Sequence, residues 1–307
     1  MHNKCIKNVN YRVKSGEYRV FFVTLPAKYY IFTKMKAEKI LFITQEIAPY
    51  VPDSELTHLG RDIPMAAIDD NRETRVFMPK WGNINERRNQ LHPVQRISGM
   101  NIVVDDTDFQ LIIKVATIMG TRMQVYFIDD DEFFGKRLEE IDREGKEYDD
   151  NFMRAMFYGR SVLETVKRLR WTPDVVYCQG WTSAFVPLFL KTAYAEEPCF
   201  RDCRVIYTAT PNRLTKESTV EEIGRQMEFR NANIESLEGF ENPFTPESLD
   251  KLAIRYSDAV TFAKPNDKLA AYAKELNCPI MDGEEPAQYL ELADKIWEAN
   301  QKPQPEE

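Results

Sequence analysis

The run Ile40-Leu41-Phe42-Ile43 is short, apolar and rich in branched side chains, and it passes into Thr44-Gln45-Glu46-Ile47-Ala48-Pro49-Tyr50, a polar turn bounded by proline. That pattern predicts the first strand of an α/β domain, followed by the loop that faces the ligand in such domains. A helix is expected from about Ser54 to Asp70, then a strand over Thr74–Pro79 leading into Lys80-Trp81-Gly82. The Ile- and Val-rich runs Asn101–Asp105, Leu111–Ile118 and Met123–Ile128, separated by polar turns, predict meandering strands in an insertion.

The period then changes. From Asn151 to Arg170 the positions Phe152, Met156, Gly159, Leu163, Val166 and Leu169 share one helical face. Asp149 and Asp150 precede this helix, Lys167, Arg168 and Arg170 close it, and Pro173 disfavours helix at Thr172. Strand-then-helix units follow: Asp174–Cys178 into Trp181–Tyr194, Arg204–Thr208 into a helix from about Thr219, and Ala259–Phe262 into Asp267–Asn277. A last unit pairs Pro279–Asp282 with a helix over Glu285–Asn300. Alternation of this kind predicts an α/β fold with a mostly parallel sheet and helices on both faces. Residues 35–300 form the predicted domain. Met1–Lys34 lacks a sustained period and is read as an upstream extension, disordered or from a start codon called too early; its alternative is a hairpin with strands near Tyr18–Thr24 and Tyr29–Thr33. Gln301–Glu307 is a polar tail.

Composition narrows the function. The 307 residues are 43% hydrophobic and 29% charged with a net charge of −8, signs interspersed, which argues against a broad nucleic-acid surface. Apolar runs fall short of the ~20 residues of a membrane span. The five cysteines are scattered and odd in number, which fits a reducing cytoplasm. Cys199 and Cys203 lack a second Cys or His pair nearby, so no metal site is expected, and no cofactor. The acidic runs Asp129-Asp130-Asp131-Glu132 and Asp69-Asp70 are expected to be solvated turns and a helix start. G-x-S-x-G, Walker-type and G-x-G-x-x-G patterns do not occur, so hydrolase, NTPase and dinucleotide chemistry have no motif support.

Between about Lys39 and Pro265 the order of motifs resembles the N-terminal domain of bacterial glycogen synthases and plant starch synthases. Glu46 and Pro49 follow the first strand, and Pro64 comes at the end of the next helix. Val76-Phe77-Met78-Pro79-Lys80-Trp81-Gly82 is similar to that family's V-x-x-P-x-Y-G. Pro173-Asp174-Val175-Val176 with Gly180-Trp181 looks like its P-D-[IV]-[IV]-H-x-H-D-W, and Tyr256-Ser257-Asp258-Ala259-Val260-Thr261 like its Y-A-D-x-[IV]-T. Order and spacing together carry the resemblance. It implies a GT-B architecture, two Rossmann-like halves facing across a cleft, of which this stretch is the N-terminal half. It also implies glucose transfer from ADP-glucose to an α-1,4-glucan, with the acceptor mainly on this half; the second half is not expected after Pro265.

Three departures stand out. Where the family has K-x-G-G-L-x-D, this sequence has Pro52 for the lysine, Ser54 and Glu55 for the glycines, and His58 for the aspartate, which removes the anion cradle the resemblance implies. H-D-W becomes Gln179-Gly180-Trp181, and the histidine of T-x-H-N becomes Thr210. Gln179 can still hydrogen-bond a sugar hydroxyl, Gly180 has no side chain to orient anything, and Thr210 cannot share imidazole's proton chemistry.

No catalytic residue is therefore assigned. The ligand-binding candidates are Glu46, Tyr50, Trp81, Gln179 and Trp181, the aromatics as platforms for sugar rings. Trp81 is favoured because it lies in a strand-end loop, whereas Phe185 is expected in the core and His58 as a surface hydrogen-bonding group. The expected function is a catalytically incomplete glycogen/starch-synthase-like protein that binds α-glucan or maltooligosaccharide, or partners a complete synthase or a second copy. The alternatives are a glucosyltransferase that uses ADP-glucose with a second half in trans, and a structural protein-interaction module.

Overall fold

A computed structural model describes residues 36–281, 283 and 285–300 in full, and the backbone of three upstream strands and of Gln301. Upstream, β1 (Asn8–Val13), β2 (Gly16–Phe21) and β3 (Ile31–Lys34) form a separate antiparallel sheet in that order. The main sheet begins with β4 (Lys39–Ile43), whose last four residues are buried, as a strand covered on both faces requires. Helix α1 (Glu55–Asp69) then leads to β5 (Glu73–Pro79), parallel to β4. Next come β6 (His92–Pro93), β7 (Met100–Val104), β8 (Thr107–Thr117) and β9 (Gln124–Asp129). The expected meander is present, but β9 also pairs in parallel with β5, so it belongs to the main sheet.

Helix α2 (Asn151–Arg168) carries the chain back across β4 to β10 (Val175–Gln179). A 3-10 turn at Trp181–Ser183, α3 (Val186–Lys191), β11 (Arg204–Ala209), α4 (Val220–Gln226), α5 (Pro246–Arg255), β12 (Ala259–Phe262), α6 (Asp267–Glu275), β13 (Ile280–Met281) and α7 (Pro286–Gln301) complete the domain. The strand order is β13-β12-β11-β10-β4-β5-β9-β8-β6, with β7 on β8, and every pair from β13 to β9 is parallel. The winding therefore reverses between β4 and β10, and the crevice at their carboxyl ends is the place where such sheets bind ligands.

Several expectations change. Pro64 lies inside α1, not at its end. Trp181–Tyr194 is not one helix: Pro187 lacks an N–H and its ring would meet the Ser183 carbonyl, so α3 starts afresh with Pro187 in its first turn. Helix α2 is buried on nearly every side, Arg154 and Ala155 to Leu163 included, so the single apolar face understated it. Gly159 lets it approach α3, because a Cβ there would sit 3.0 Å from the Val186 side chain. Helix α5 had no counterpart among the expected elements.

Two motif carboxylates turn out to be fold staples. Asp174 accepts from the backbone N–H groups of Glu38 (2.7 Å) and Lys39 (2.8 Å) and fixes the start of β4 beside β10. Asp258 accepts from the Val205 N–H (2.8 Å), Arg204 (2.9 Å) and Lys191 (2.8 Å), tying β12 to β11 and α3. Helix α7 packs against α1, and a buried ion pair ties it to the turn between α1 and β5. Arg72 donates to both carboxylate oxygens of Asp294 (2.6 and 3.0 Å), and Asp294 also accepts from the Ala37 N–H at 3.0 Å. Removing one partner of such a pair leaves a buried charge uncompensated, so Asp294→Ala is expected to cost about 3–5 kcal/mol in denaturant unfolding. An unchanged midpoint would show that α7 does not hold the domain.

Candidate functional site at the strand ends

The crevice is built from three strand ends and their loops. After β4 the chain runs Thr44-Gln45-Glu46; after β10 it turns at Gly180; after β11 it passes through Thr210-Pro211-Asn212-Arg213. A cleft of ≈ 350 Å³ opens between Glu46, Pro52 and Asp53 on one side, Glu139 and Glu140 on another, and Asn212 and Arg213 on the third. Its lining holds four carboxylates (Glu46, Asp53, Glu139, Glu140) against one guanidinium, Arg213, which pairs with Glu140 at 3.3 Å.

Glu46 feels this environment most. Burial, then the charges of Glu139 and Glu140, push its carboxyl up to about 7, while Arg213 and a hydrogen bond from Ser54 pull part of the way back. Next to the cleft, a pocket of ≈ 290 Å³ shares Pro211 and Asn212 with it and is lined by Thr210, Asp250, Phe262 and Lys264. Asp250 is buried and accepts from Tyr207 Oη at 2.6 Å; burial pushes it up to about 7, against the pull of that hydrogen bond.

The floor is a row of polar side chains out of water. Gln179 donates through Nε2 to the Leu56 carbonyl at 3.1 Å, while its Oε1 is buried without a partner. Gln45 Oε1 and Thr210 Oγ1 are likewise buried and unpartnered. Gly180 has φ +81°, and a Cβ there would sit 2.5 Å from Gln45 Oε1. The carboxamide of Gln45 thus occupies the space that a side chain at 180 would need, and Gly60 lets α1 press onto the Glu46 carbonyl, 2.2 Å from where its Cβ would be.

The loop from Val51 to Ser54 leads into α1 with its own cap. Ser54 Oγ accepts from the Thr57 N–H (3.1 Å) and Thr57 Oγ1 accepts from the Ser54 N–H (3.0 Å), a reciprocal capping box. Glu55 ion-pairs with Lys264 at 2.7 Å, joining the start of α1 to the loop after β12 across the ends of β10 and β11. His58 lies between Asp53 (Nε2 to Oδ1, 2.8 Å) and Arg61 (Nδ1 to NH2, 2.9 Å) on the surface of α1. With Nδ1 accepting from Arg61, the proton sits on Nε2 and is donated to Asp53.

Of the residues picked out by sequence, Glu46 and Pro52 line the cleft, Gln179 and Gly180 lie buried behind its Leu56 and Gln45, and Thr210 lines the adjoining pocket. The aromatic platforms are elsewhere. Trp81 is fully buried and donates from Nε1 to the Gln45 carbonyl at 2.9 Å; Trp181 lies 6.5 Å from it, also buried. Both prop the strand ends from below and offer no open ring to a ligand. Phe185 is in the core. Tyr50 is buried edge-on against Phe127 (4.9 Å), its hydroxyl unpartnered and pushed up to about 12 by burial.

Sequence reasoning passed over Glu139, Glu140, Arg213 and Arg154. Arg154, wholly buried, donates to the carbonyls of Phe133 (3.0 Å), Leu138 (2.7 Å) and Glu139 and to Asn151 Oδ1 (2.8 Å), and lies over the rings of Trp81 and Trp181. One signal was available: apolar residues also fill the opposite face of α2 (Ala155, Phe157, Tyr158, Val162), which marks a helix buried all round and so a buried arginine. The acidic run forms a turn, Asp130 accepting from the N–H groups of Glu132 (2.9 Å) and Phe133 (3.0 Å), with Asp129 paired to Lys114 at 2.7 Å.

Comparison with known proteins gives this arrangement a family. Residues 39–283 match the family model described as the starch synthase catalytic domain. The chain belongs to that family. It is similar to the glycogen synthase of Pelodictyon phaeoclathratiforme, 33% identical over 171 residues, covering 55% of this chain and 35% of the relative. With the glycogen synthase of Chlorobaculum parvum it shares 27% identity over 245 residues, 78% of this chain and 47% of the relative. Among solved structures it is similar to the catalytic domain of starch synthase IV from Arabidopsis thaliana, with TM-score 0.64 and 18% identity, covering 82% of this chain and 53% of that one. The chain thus spans about a third to a half of the length of these curated relatives. The α/β fold with its mostly parallel sheet is the one the family resemblance implied.

Two outcomes follow from the floor and the cleft. Gly180→Ala is expected to cost about 1–3 kcal/mol, part from the left-handed backbone and part from the collision with Gln45. Gln45→Ala in the same chain should recover the collision part alone, read from a double-mutant cycle in denaturant; full additivity would contradict the overlap. For Glu46, the folded value near 7 lies above the ordinary carboxyl value, so the native state binds more protons between the two, and stability falls as pH rises through about 7. Glu46→Gln should therefore be close to neutral near pH 4 and stabilising by about 1–2 kcal/mol at pH 8, after allowance for its partial exposure. A pH-independent difference would contradict it.

Proposed function

We propose that this starch-synthase-family chain binds α-glucan at the strand-end cleft without turning over ADP-glucose there. The observation that carries the reading is the convergence of Glu46, Glu139 and Glu140 on a cleft with one paired arginine, strong enough to push Glu46 up to about 7. A diphosphate entering that space meets like charge at close range, where the effective dielectric is low. The start of α1 adds little compensation: the Thr57 N–H is taken by the Ser54 hydroxyl, and Glu55 stands at its first position. A neutral sugar bears none of this penalty.

The Arabidopsis neighbour was solved bound to ADP and acarbose, which makes both ligand types reasonable probes for this fold. Transfer from ADP-glucose also needs positive charge at the departing diphosphate, usually the largest catalytic contribution, and the cleft is lined by negative charge instead. The reading is tested on the full chain with labelled ADP-glucose and a maltooligosaccharide primer, alongside retention on glycogen. Retention without incorporation is expected, and ADP should leave the melting temperature unchanged. Incorporation of label that is lost in Gln179→Ala or Thr210→Ala would replace this reading with that of a transferase. Failure to bind any glucan would leave a protein-interaction role.

A further inference from the structure

Helix α5 carries a buried carboxyl group that no cation of the described residues meets. Asp250 is 8% exposed and lies on the wall of the ≈ 290 Å³ pocket that adjoins the cleft. That volume is just short of the ~300–1,000 Å³ typical of drug-sized ligands and suits a smaller one. Asp250 Oδ1 accepts from Tyr207 Oη at 2.6 Å. Its Oδ2 has no hydrogen-bond partner among the described residues and is not sealed off as Thr210 Oγ1 beside it is, so it opens into the pocket.

The neighbouring cations are committed elsewhere. Lys264, on the same pocket, pairs with Glu55 at 2.7 Å. Lys251 of α5 and Lys268 of α6 pair with Glu247 at 2.8 and 3.7 Å. Lys191 at the end of α3 and Arg204 at the start of β11 pair with Asp258 at 2.8 and 2.9 Å. Glu247, the other acid on the pocket wall, has the same sign as Asp250, and Asp267 adds another in the first turn of α6. Burial pushes the Asp250 carboxyl up to about 7; the Tyr207 hydrogen bond pulls back and Glu247 adds to the rise.

We infer that this pocket binds a small primary amine as its ammonium ion, with Asp250 as the anionic anchor. The inference is independent of what the cleft binds. A buried carboxylate without a counter-charge is costly, and the cost is relieved either by a proton or by a cation brought in from solvent. An ammonium is a compact donor of three N–H groups that Oδ2 can accept. Its alkyl stem finds apolar walls in Ala209, Pro211, Phe262 and Leu269.

The pocket suits other ligand classes less well. Helices α5 and α6 both begin on it, yet their starts offer little to an anion: Pro246 has no N–H, Thr245 Oγ1 accepts from the Ser248 N–H at 3.1 Å, and Asn266 Oδ1 accepts from the Leu269 N–H at 3.1 Å. A neutral polyol would leave the carboxylate charge uncompensated. Only a cation answers the feature that distinguishes the pocket.

The test is calorimetric titration of n-butylamine into the full chain in an amine-free buffer, with n-butanol as the uncharged control of the same stem. Butylammonium is expected to bind near pH 8, and butanol is not. Ammonium and proton compete for Asp250, so affinity should be fully present above about 7 and fall as pH drops through it, by about tenfold between about pH 8 and about pH 5.5. This arm needs no substitution. Asp250→Asn keeps an acceptor for Tyr207 and removes an uncompensated charge, so its unfolding midpoint near pH 8 should be unchanged or higher. The same variant should bind butylammonium at least about tenfold more weakly and without the pH dependence. Butanol bound as tightly as the amine, affinity indifferent to pH or to Asp250→Asn, or no amine binding at all overturns the inference. Glucose bound in place of the amine, and lost in Asp250→Asn, overturns it as well.

Discussion

Arg154 is a buried cation with no ion pair among the described residues, and much of the crevice depends on how that charge is satisfied. Its guanidinium is enclosed by three backbone carbonyls, Asn151 and the faces of Trp81, Phe134, Tyr148 and Trp181. Burial and the nearby Arg137 pull its pKa downward, yet a guanidinium remains charged at neutral pH. The cost of removing it from water is offset by acceptors for four of its five N–H groups and by four rings, which together constrain the loop after β9. That loop carries Glu139 and Glu140, so the negative wall of the cleft is positioned by a buried positive charge behind it. Trp81 passes the constraint on, since the ring Arg154 covers also donates to the Gln45 carbonyl.

This division of labour explains how the fold survives while the loop chemistry has shifted. The motif residues that resemble the family most closely, Asp174 and Asp258, spend their oxygens on backbone N–H groups and neighbouring cations of adjacent strands. They specify the sheet and are indifferent to what the crevice binds. The exchanged residues lie at strand ends, where a change of side chain alters the ligand environment and leaves the ladders intact. Their exchanges fit one another: Gly180 has no side chain, and Gln45 fills the space; Glu55 adds a charge, and Lys264 meets it.

The sheet was legible because its signal is local. Strands β4, β5, β10, β11 and β12 are apolar runs bounded by turns, and their bounds differ from expectation by a residue or two. Where a second principle competed, the local reading failed. Pro187 split the predicted Trp181–Tyr194 helix, and the burial of α2 on all sides hid Arg154 behind a one-face pattern. The crevice was legible only in its first loop. Which charges would face Glu46 depended on chain segments some 90 and 170 residues away, and no spacing in the sequence encodes that meeting. Trp81 misled for a related reason: a Trp in a strand-end loop can face out or fold under, and here the Gln45 carbonyl and Arg154 draw it under.

Electrostatics decides which ligand groups the strand-end cleft tolerates. Near neutral pH Glu46 stands at the middle of its titration, so it can donate or accept a hydrogen bond at little cost. A neutral hydroxyl can use either form. A diphosphate can use only the protonated one, and its own charge would raise the pKa further, so its binding must draw a proton from solvent and works against Glu139 and Glu140 as well. Charge alone therefore sets the cleft against anions and leaves neutral hydroxyls unpenalised.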